Sequence, residues 1–410
     1  MKRLLILLLF PLTVCAADPT DLPPAAQVEK TLRAHPLVRG AAAGIQVEEA
    51  NRDRLEAGPH EFALRLSSQQ RRDRPVDISY RENEVGLERA IRLPGKAARD
   101  SALGAVGIEH ARFALGDALH ESARLLLGRW FEWRREAAAA RQWALQVETL
   151  QRQHEVVGKR VGAGDAAKLE ELLSGAQLAQ AQAQLAQAQG RRDRAATEFS
   201  QSFPGIALPA DATLATPEPQ AIGESAGTWR QRILEHNHEL AMARSAARRG
   251  QIMVQRLDAE RMPDPTLGVK FGSERDGQER IVGVQLTIPL PGSGRAASAR
   301  AGVAEADVAT AREALVLARV EAEALRTVSL AHSTRGQWQR LEDVALRMEE
   351  NVRLLEKAWR MGEGQFAELQ AVRRQAIEAR LAASQARLEA SEARYRLLLD
   401  AHQLWDMEAD

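Results

Sequence analysis

Hydrophobic and polar positions follow two different periods along the chain, and each change of period marks a predicted element boundary. Between about 96 and 160, and again between about 295 and 360, apolar residues recur at helical spacing and no proline interrupts them. Each segment therefore predicts one uninterrupted helix. At a rise of about 1.5 Å per residue, such a helix measures on the order of 95 Å. Helices of this length do not fit a compact domain, so the pattern indicates an elongated molecule.

Between the helical segments the period changes to two, which is the spacing of a strand with two different faces. We predict strands at about 266–272 and 281–288, and a second, less regular pair at about 61–70 and 78–93, where Arg89 breaks the apolar row. An apolar face opposite a small or polar face is typical of a strand between lipid and a watery lumen. A soluble, half-buried hairpin would show the same alternation. The predicted lipid-facing side chains are Leu267, Val269, Phe271, Val282, Val284, Leu286 and Ile288.

The two halves of the chain carry the same signals in the same order, which indicates an internal repeat. The glycine turn from Arg160 to Asp165 matches the turn from Arg360 to Gln365, 200 positions later. The predicted helix start at His35 likewise matches the one at Asn237. Each half is predicted as a helix, two strands, a very long helix, a glycine turn and a returning helix. In the second half the first helix is predicted over about 228–261, before two prolines.

The predicted fold class is mainly α with a small β part, built from this duplicated unit. The predicted divisions are a first repeat at 17–203 with its helical hairpin at about 96–203, a linker at 204–227, and a second repeat at 228–406 with its hairpin at about 295–406. Because each chain supplies four strands, three chains would supply about twelve, enough for a closed membrane barrel.

The spacing of apolar residues also predicts how the long helices pack. Leu341, Met348 and Leu355 lie seven apart, which is typical of a coiled coil. The stretch at 177–189 is mostly alanine and glutamine, whose small or slender side chains permit close approach of helices on two sides. Helices that pack on both neighbours form the wall of a tube, whereas a solvated rod would show the same heptads without the strands between them.

The first residues have the pattern of a secretory signal peptide. Lys2 and Arg3 precede a short apolar run, and small residues follow it, so we predict cleavage after Ala16, with Ala17 as the second choice. The predicted signal peptide is 1–16. Cys15 is the chain's single cysteine and stands in a poor lipoprotein context, so its lipidation is left open. No later stretch is apolar for the about 20 residues that a membrane helix needs, so insertion into a membrane would use strands.

Composition and motifs give no sign of covalent chemistry or of nucleic-acid binding. The 56 basic and 56 acidic residues balance, whereas phosphate backbones select a basic excess. Of the nine histidines, His236 and His238 are close in sequence, but a helix start explains them better than a metal site does. Ser293 lies in a Gly-Ser-Gly run without the context of a phosphate loop and is predicted to be a turn residue. We therefore predict no catalytic residue, cofactor or metal.

The ordered pattern resembles the TolC-like outer-membrane efflux channel family over nearly the whole mature chain, from about Leu22 to Trp405. The resemblance is carried by the helix starts near His35 and Asn237, by the strand-to-helix exit at 289–295, and by the two Arg-x-Gly-x-Gly turns. It implies a homotrimer in the outer membrane, with a twelve-stranded β-barrel continuous with a periplasmic α-helical barrel. It also implies two partners, a periplasmic adaptor protein and an inner-membrane pump of the RND type.

Two groups of residues match functional elements of that family. The residues at the predicted adaptor-contacting hairpin tips are Arg160, Gly162, Gly164, Asp165, Arg360, Gly362, Gly364 and Gln365. The residues at the predicted strand-to-helix exits are Pro94, Gly95, Lys96, Pro291, Gly292, Gly294 and Arg295. The first exit, together with Arg99, resembles the Gly-Gly-Lys-Arg element of heavy-metal efflux channels, although Pro94 replaces a glycine. The heavy-metal subclass is therefore one candidate and drug export the other.

The predicted function is an exit duct for passive export of small molecules or metal ions through a tripartite pump. The glycines at the tips are expected to adopt the left-handed conformation that lets a long helix reverse tightly. The alternative is a periplasmic coiled-coil adaptor or scaffold without membrane insertion. Such adaptors also contain helical hairpins, so the strands are the feature that separates the two hypotheses.

Overall fold

The computed structural model describes residues 20–210 and 216–405. The predicted signal peptide, including Cys15, lies outside these residues. The helices are α1 (Ala25–Ala34), α2 (Pro36–Ala57), α3 (Lys96–Gly162), α4 (Lys168–Ser202), α5 (Ala226–His236), α6 (His238–Ala259), α7 (Ser293–Arg360) and α8 (Phe366–Asp400). The strands are β1 (Ala63–Asp73), β2 (Ile78–Ala90), β3 (Thr266–Glu274) and β4 (Glu279–Thr287).

The duplicated architecture predicted from the sequence is confirmed. Each half runs through two short helices, two strands, one very long helix and a returning helix. The long helices α3 and α7 have 67 and 68 residues, and each returning helix has 35. At about 1.5 Å per residue, α3 and α7 each extend for about 100 Å. In each half the long helix packs against its own returning helix.

The helix predicted over 228–261 is wrong in one respect, because the structure divides it into α5 and α6 at Asn237. The Asn237 side chain accepts a hydrogen bond from the backbone N–H of Leu240 at 2.7 Å and so caps α6. In the first half His35 plays the same part, accepting from the N–H of Leu37 at 3.4 Å, with Pro36 as the first helical residue. The capping side chain favours an extended residue at each junction, which ends one helix and starts the next.

The long helices pack through seams of residues seven apart, as the coiled-coil prediction required. In α7 the buried seam runs through Ala331, Trp338 and Ala345, whereas the predicted Leu341 lies beside it and is half-buried. Alanine dominates the seams of the returning helices as well, at 181, 188 and 195 in α4 and at 376, 383 and 390 in α8. Small side chains at the seam let the backbones approach closely, which explains the low aromatic content of the helices.

The four strands form one antiparallel sheet in the order β1-β2-β3-β4. The pairing of β2 with β3 joins the two halves of the chain, with Leu87 opposite Val269. Strand β1 extends to Asp73 and β4 begins at Glu279, beyond the boundaries that alternation predicted. The reason is that the backbone ladder continues through polar residues, where the apolar pattern no longer marks it. At the other end β2 stops at Ala90 rather than 93.

Aromatic residues are concentrated in one core where α1, α3, α4 and α8 meet. Trp130, Phe131, Phe199, Phe203 and Tyr395 are all buried there. Aromatic residues make up only 4% of the chain, so the overall composition averages this local cluster over all residues and does not reveal it. The cluster fixes the helices between the sheet and the distant helical tips.

Candidate functional site

One face of the sheet is a continuous apolar surface. The register places Leu64, Leu87, Val269 and Val284 in one row across the four strands, since directly paired residues point to the same side. A parallel row contains Leu66, Val85, Phe271 and Val282, and a third contains Leu267 and Leu286. These side chains are exposed in the chain; Val284, for example, is 75% exposed. We call this the outward face.

The outward face contains all seven residues that were predicted to face lipid, with one at its margin. Ile288 lies just past the end of β4 but on the same side as Leu286. Arg89, which breaks the row in β2, lies over the ring of Phe62 at 4.9 Å and donates a hydrogen bond to the carbonyl of His60 at 3.1 Å. Arg89 therefore has local partners at the end of the sheet nearest the helices.

The opposite face of the sheet, the inward face, is polar and charged. Arg65 pairs with Glu88 at 2.7 Å, and Lys270 pairs with Glu84 at 3.0 Å. Glycines stand beside them at 86, 268, 272 and 283; a Cβ at Gly268 would lie 3.0 Å from Cβ of Glu88, and one at Gly283 would lie 3.3 Å from the Lys270 side chain, so these glycines make room for the charged neighbours. A surface of this kind is suited to water and not to a packed core.

The exits from the strands into the long helices differ between the halves. Gly95 precedes α3 with a left-handed φ of +84°, which favours glycine. Gly292 precedes α7 with extended backbone, and α7 begins at Ser293, so the prediction that Ser293 is a turn residue is wrong. Gly294 and Arg295 belong to the first turn of α7. The proline and glycine residues at each exit end the strand and permit the abrupt change of direction.

Lys96 occupies the centre of a buried ion-pair network at the first exit, which the sequence did not reveal. Its side chain is only 1% exposed, and its Nζ donates to Oδ1 of Asp264 at 2.8 Å and to the carbonyl of Met262 at 2.7 Å. Asp264 also pairs with Nε2 of His60 at 2.7 Å and accepts from the N–H of Leu93 at 3.0 Å. Burial would raise the pKa of Asp264, but the hydrogen bonds from His60, Lys96 and Leu93 hold that pKa at about 2.

The network extends around the same junction. Asp100 accepts from Nε of Arg256 at 2.5 Å and pairs with Arg92 at 3.3 Å. Glu260 pairs with Arg256 and, at 3.1 Å, with Arg295. Residues of the first repeat thus contact residues of the second at the first exit, through the pairs Lys96–Asp264 and Asp100–Arg256. The junction connects strands and helices from both halves through charged groups that are mostly withdrawn from water.

The two hairpin tips have the same backbone geometry. The equivalent residues are 198 positions apart in the structure, whereas the sequence match placed them 200 apart. Gly164 and Gly362 are the left-handed residues, with φ of +84° and +83°. The N–H of Asp165 reaches the carbonyl of Arg160 at 2.8 Å, and the N–H of Glu363 reaches the carbonyl of Ala358 at 3.0 Å. Both are the hydrogen bonds of a helix that ends in a left-handed glycine. The alignment of Arg160 with Arg360 is therefore wrong, because Gly164 corresponds to Gly362.

The other two tip glycines do not adopt the expected conformation. Gly162 is the last residue of α3 and has helical backbone. Gly364 has no positive φ, but a Cβ there would lie 3.0 Å from the backbone nitrogen of Trp359, so glycine is required for close approach. Gln365 immediately precedes α8.

Contacts between the two tips are made by aromatic and charged side chains. The guanidinium of Arg160 lies over the ring of Trp359, 4.8 Å from its centroid. Trp359 is buried with Val157, Phe366 and Leu369 in a small cluster between the hairpins. Arg360 instead pairs with Glu356 on its own helix. Of the predicted tip residues, Arg160 alone therefore joins one hairpin to the other by such a contact.

Four histidines from separate elements meet in the middle of the molecule, which sequence spacing could not show. His402 lies with its ring centroid 5.5 Å from His120, 5.5 Å from His236 and 5.1 Å from His238. Burial and the charge of Arg124 lower the pKa of His120 to about 2. Burial and His238 lower the pKa of His402 to about 4. The rings of His120 and His402 are therefore neutral at neutral pH.

Among residues 20–210 and 216–405, no group of three or more histidine, cysteine, aspartate or glutamate side chains has the arrangement needed to hold a metal ion. Within the same residues, no helix is long and apolar enough to span a membrane.

Known structures share this architecture over nearly its whole extent. The outer-membrane channel OprN is 18% identical and superposes with a TM-score of 0.79, covering 93% of this chain and 90% of OprN. The outer membrane protein VceC from Vibrio cholerae is 14% identical, with a TM-score of 0.73 and coverage of 93% of this chain and 99% of VceC. The Neisseria gonorrhoeae MtrE outer membrane channel in its open state is 15% identical, with a TM-score of 0.67, over 94% of this chain and 90% of MtrE.

No protein-family model and no curated protein sequence matches the chain. At the identities observed, the structural likeness concerns the fold. The chain has the fold of TolC-like outer-membrane channels, as the ordered repeat of its sequence predicted.

Proposed function

We propose that this chain, with the fold of outer-membrane channels, forms the exit duct of a tripartite efflux pump. The duct is a homotrimer whose strands lie in the outer membrane and whose helices extend into the periplasm. Solutes pass through it by diffusion, and the partner pump supplies the energy. Small molecules and metal ions are both candidate cargoes.

The observation that carries this proposal is the sheet. It has an apolar outward face, a charged inward face and two open edges, β1 and β4, each paired on one side only within the described chain. Unpaired backbone groups at a sheet edge are costly in lipid, so membrane strands must close into a barrel. Four strands are too few to do so around water, and about twelve, from three copies, are sufficient. Strands of 9 to 13 residues are also long enough to cross a bilayer at a tilt.

The height of the apolar rows supports the same placement. From Val282 to Ile288 the strand advances six residues, or about 20 Å at about 3.4 Å per residue. At a strand tilt of about 40°, this length covers about 15 Å of bilayer thickness, and the side chains at both limits extend it toward the apolar band of about 25 Å that is typical of membrane barrels. The junction network around Lys96 then lies at the boundary between membrane and periplasm.

The hairpin tips are proposed as the surface that binds the adaptor, which in turn connects the duct to an inner-membrane pump of the RND type. Gly164 and Gly362 turn the helices there, and Arg160 and Trp359 join the two hairpins. We propose that the adaptor opens the duct by separating the tips, which would break this contact.

Paired substitutions on adjacent residues of β4 test membrane insertion. Val284→Arg puts a charge on the outward face, whereas Gln285→Arg, the matched control, puts the same charge on the inward face. Arginine at the middle of a lipid-facing strand costs about 2 to 4 kcal/mol. We expect Val284→Arg to reduce trimer yield in membrane fractions and single-channel events in planar bilayers, and Gln285→Arg to preserve both.

A periplasmic adaptor or scaffold that does not insert would respond differently. Both positions would then be water-exposed, so the two variants would have equal yields. Wild-type protein would also remain in the soluble fraction and give no conductance, and that result would overturn the proposal.

A further inference from the structure

The charges on the outward face of the sheet all have the same sign. Four charged residues of β1 to β4 point to this side, and every one is an arginine: Arg72, Arg81, Arg89 and Arg280. The inward face of the same strands carries charges of both signs: six carboxylates (Asp73, Glu82, Glu84, Glu88, Glu274 and Glu279) and three cations (Arg65, Arg71 and Lys270), each of which pairs with one of the glutamates. Apolar alternation does not require that every charge on the outward face of the strands be positive, and no strand carboxylate on that face balances the arginines, so this pattern indicates a negatively charged partner outside the sheet.

The register shows that three of these arginines lie beyond the apolar rows, on the side of the strand hairpins. Arg280 is two residues past Val282, which places it about 7 Å above the last apolar row. Arg81 is four residues from Val85 in that row, or about 14 Å above it, and Arg72 is about 20 Å above it. The headgroup layer on one side of a bilayer is about 5 to 8 Å thick. With a strand tilt of about 40°, Arg280 lies about 5 Å above the last apolar row, at headgroup level, and Arg81 lies about 10 Å above it, at the outer limit of the headgroups, which its long side chain reaches.

The side chains of Arg81 and Arg280 are available for a ligand. Both residues are exposed, and neither side chain makes a hydrogen bond or an ion pair with the part of the chain that the structure describes. Arg72, by contrast, pairs with Asp77 through two hydrogen bonds of 2.9 and 2.5 Å. The backbone of Arg81 is held by Asp276, whose Oδ1 accepts from its N–H at 2.8 Å. The hairpin of β3 and β4 thus fixes the base of Arg81 and leaves its guanidinium free.

We propose that Arg81 and Arg280 bind the phosphate groups of anionic lipid headgroups in the leaflet where the strand hairpins emerge. This inference rests on the proposed insertion of the sheet into a membrane. A guanidinium presents parallel N–H donors that match two phosphate oxygens, and it remains charged at every relevant pH. The apolar rows contact the acyl chains while the arginines contact the phosphates, so one lipid is held at both ends. Three chains would present six such arginines around the barrel.

Native mass spectrometry of the purified trimer in neutral detergent measures this binding. The probes are phosphatidylglycerol, which is anionic, and phosphatidylcholine, which is neutral overall. We expect the wild-type trimer to bind phosphatidylglycerol more tightly. Arg81→Gln and Arg280→Gln should each weaken that binding about fivefold, and the double variant should weaken it about 25-fold. Arg71→Gln is the matched control, since Arg71 lies on the inward face next to Arg72 and contacts Glu82.

Two results would overturn the proposal. The first is equal affinity for the two lipids in the wild type, or an equal loss of affinity in the Arg71→Gln control. The second is saturable binding of inorganic phosphate alone that Arg81→Gln and Arg280→Gln abolish, because the site would then take a free anion. Conductance of the same preparations in phosphatidylcholine bilayers distinguishes a failure of the arginine site from a failure of the proposed channel function. Conducting trimers without lipid preference would refute only the arginine site, whereas failure to insert would refute the proposed function as well.

Discussion

Replacement of Lys96 by methionine tests whether the buried junction network holds the sheet to the helices. Methionine retains most of the aliphatic stem and removes the ammonium group. In the variant, Asp264 loses the donor at 2.8 Å, and the carbonyl of Met262 loses the one at 2.7 Å. Asp264 would remain buried with only His60 and the N–H of Leu93 as partners.

The size of the effect follows from the burial of both charges. Removal of one partner from a buried ion pair costs about 3 to 5 kcal/mol, because the other charge loses its compensation. The lowered pKa of Asp264, about 2 against an ordinary value of 3.8, gives a free energy of similar size. At about 1.4 kcal/mol per pH unit, the ionised carboxylate contributes about 2 kcal/mol at neutral pH. Because that pKa is lowered, this stabilisation is present above pH 3.8 and is lost as the pH falls through about 2.

Thermal melting in detergent, followed by circular dichroism at 222 nm, provides the assay. Unfolding entropy of about 2.1 cal/mol/K per residue means that 3 to 5 kcal/mol lowers the Tm of about 400 residues by about 4 to 6 °C. We expect this decrease for Lys96→Met. In a double-mutant cycle, Lys96→Met with Asp264→Leu should lose clearly less than the sum of the two single losses, since no charge is then left uncompensated.

Lys270→Met is the matched control. Lys270 also pairs with a glutamate at 3.0 Å, but both side chains are 38% exposed. Exposed pairs contribute at most about 1 kcal/mol, so Tm should change by about 1 °C or less. A Tm for Lys96→Met within 1 °C of the wild type, or strictly additive losses in the cycle, would show that the network does not stabilise the junction.

Two further predictions concern the tips and the histidine cluster. Gly164→Ala and Gly362→Ala should each lower the free energy of unfolding in thermal melting by about 1 to 2 kcal/mol, because alanine is strained at a φ near +84°. Gly162→Ala is the control, since Gly162 has helical backbone and open space around it. Its free energy of unfolding should stay the same or rise by up to about 1 kcal/mol. Acid should destabilise the wild type below pH 6.5, because the pKa values of His120 and His402 fall from that value to about 2 and about 4 in the folded chain, so the unfolded chain takes up these protons first. Between pH 6.5 and 4.5 each of the two histidines costs about 2 kcal/mol, so His120→Phe should remove about half of the loss.

Each of these has an outcome that contradicts it. Equal losses for Gly162→Ala and Gly164→Ala would mean that the tips do not turn at Gly164. A loss of stability between pH 6.5 and 4.5 that is the same in His120→Phe as in the wild type would show that the neutral ring at this position does not set the acid sensitivity.

The parts of the fold that depend on local geometry are predictable from the order of the amino acids. Backbone periods of two and 3.6 residues fix which side chains share a face, so alternation revealed the outward face at Val282 and Val284. The absence of proline from 96–160 and from 295–360 predicted helices that the structure shows as α3 and α7. Repeated helix starts at His35 and Asn237 revealed the duplication. Each of these signals is carried by residues that are neighbours in the chain.

Contacts between distant residues, in contrast, depend on how the whole chain packs. Lys96 and Asp264 are far apart in sequence, and their contact follows from the pairing of β2 with β3. The level of Arg280 above the apolar rows depends on strand register, because a shift of one residue would move it to the other face. Gly164 corresponds to Gly362 because the last carbonyl groups of each long helix accept their hydrogen bonds around these two glycines. The spacing of residues in the sequence does not show where these hydrogen bonds form. Packing and long-range pairing set these positions, and neither has a period that can be read along the chain.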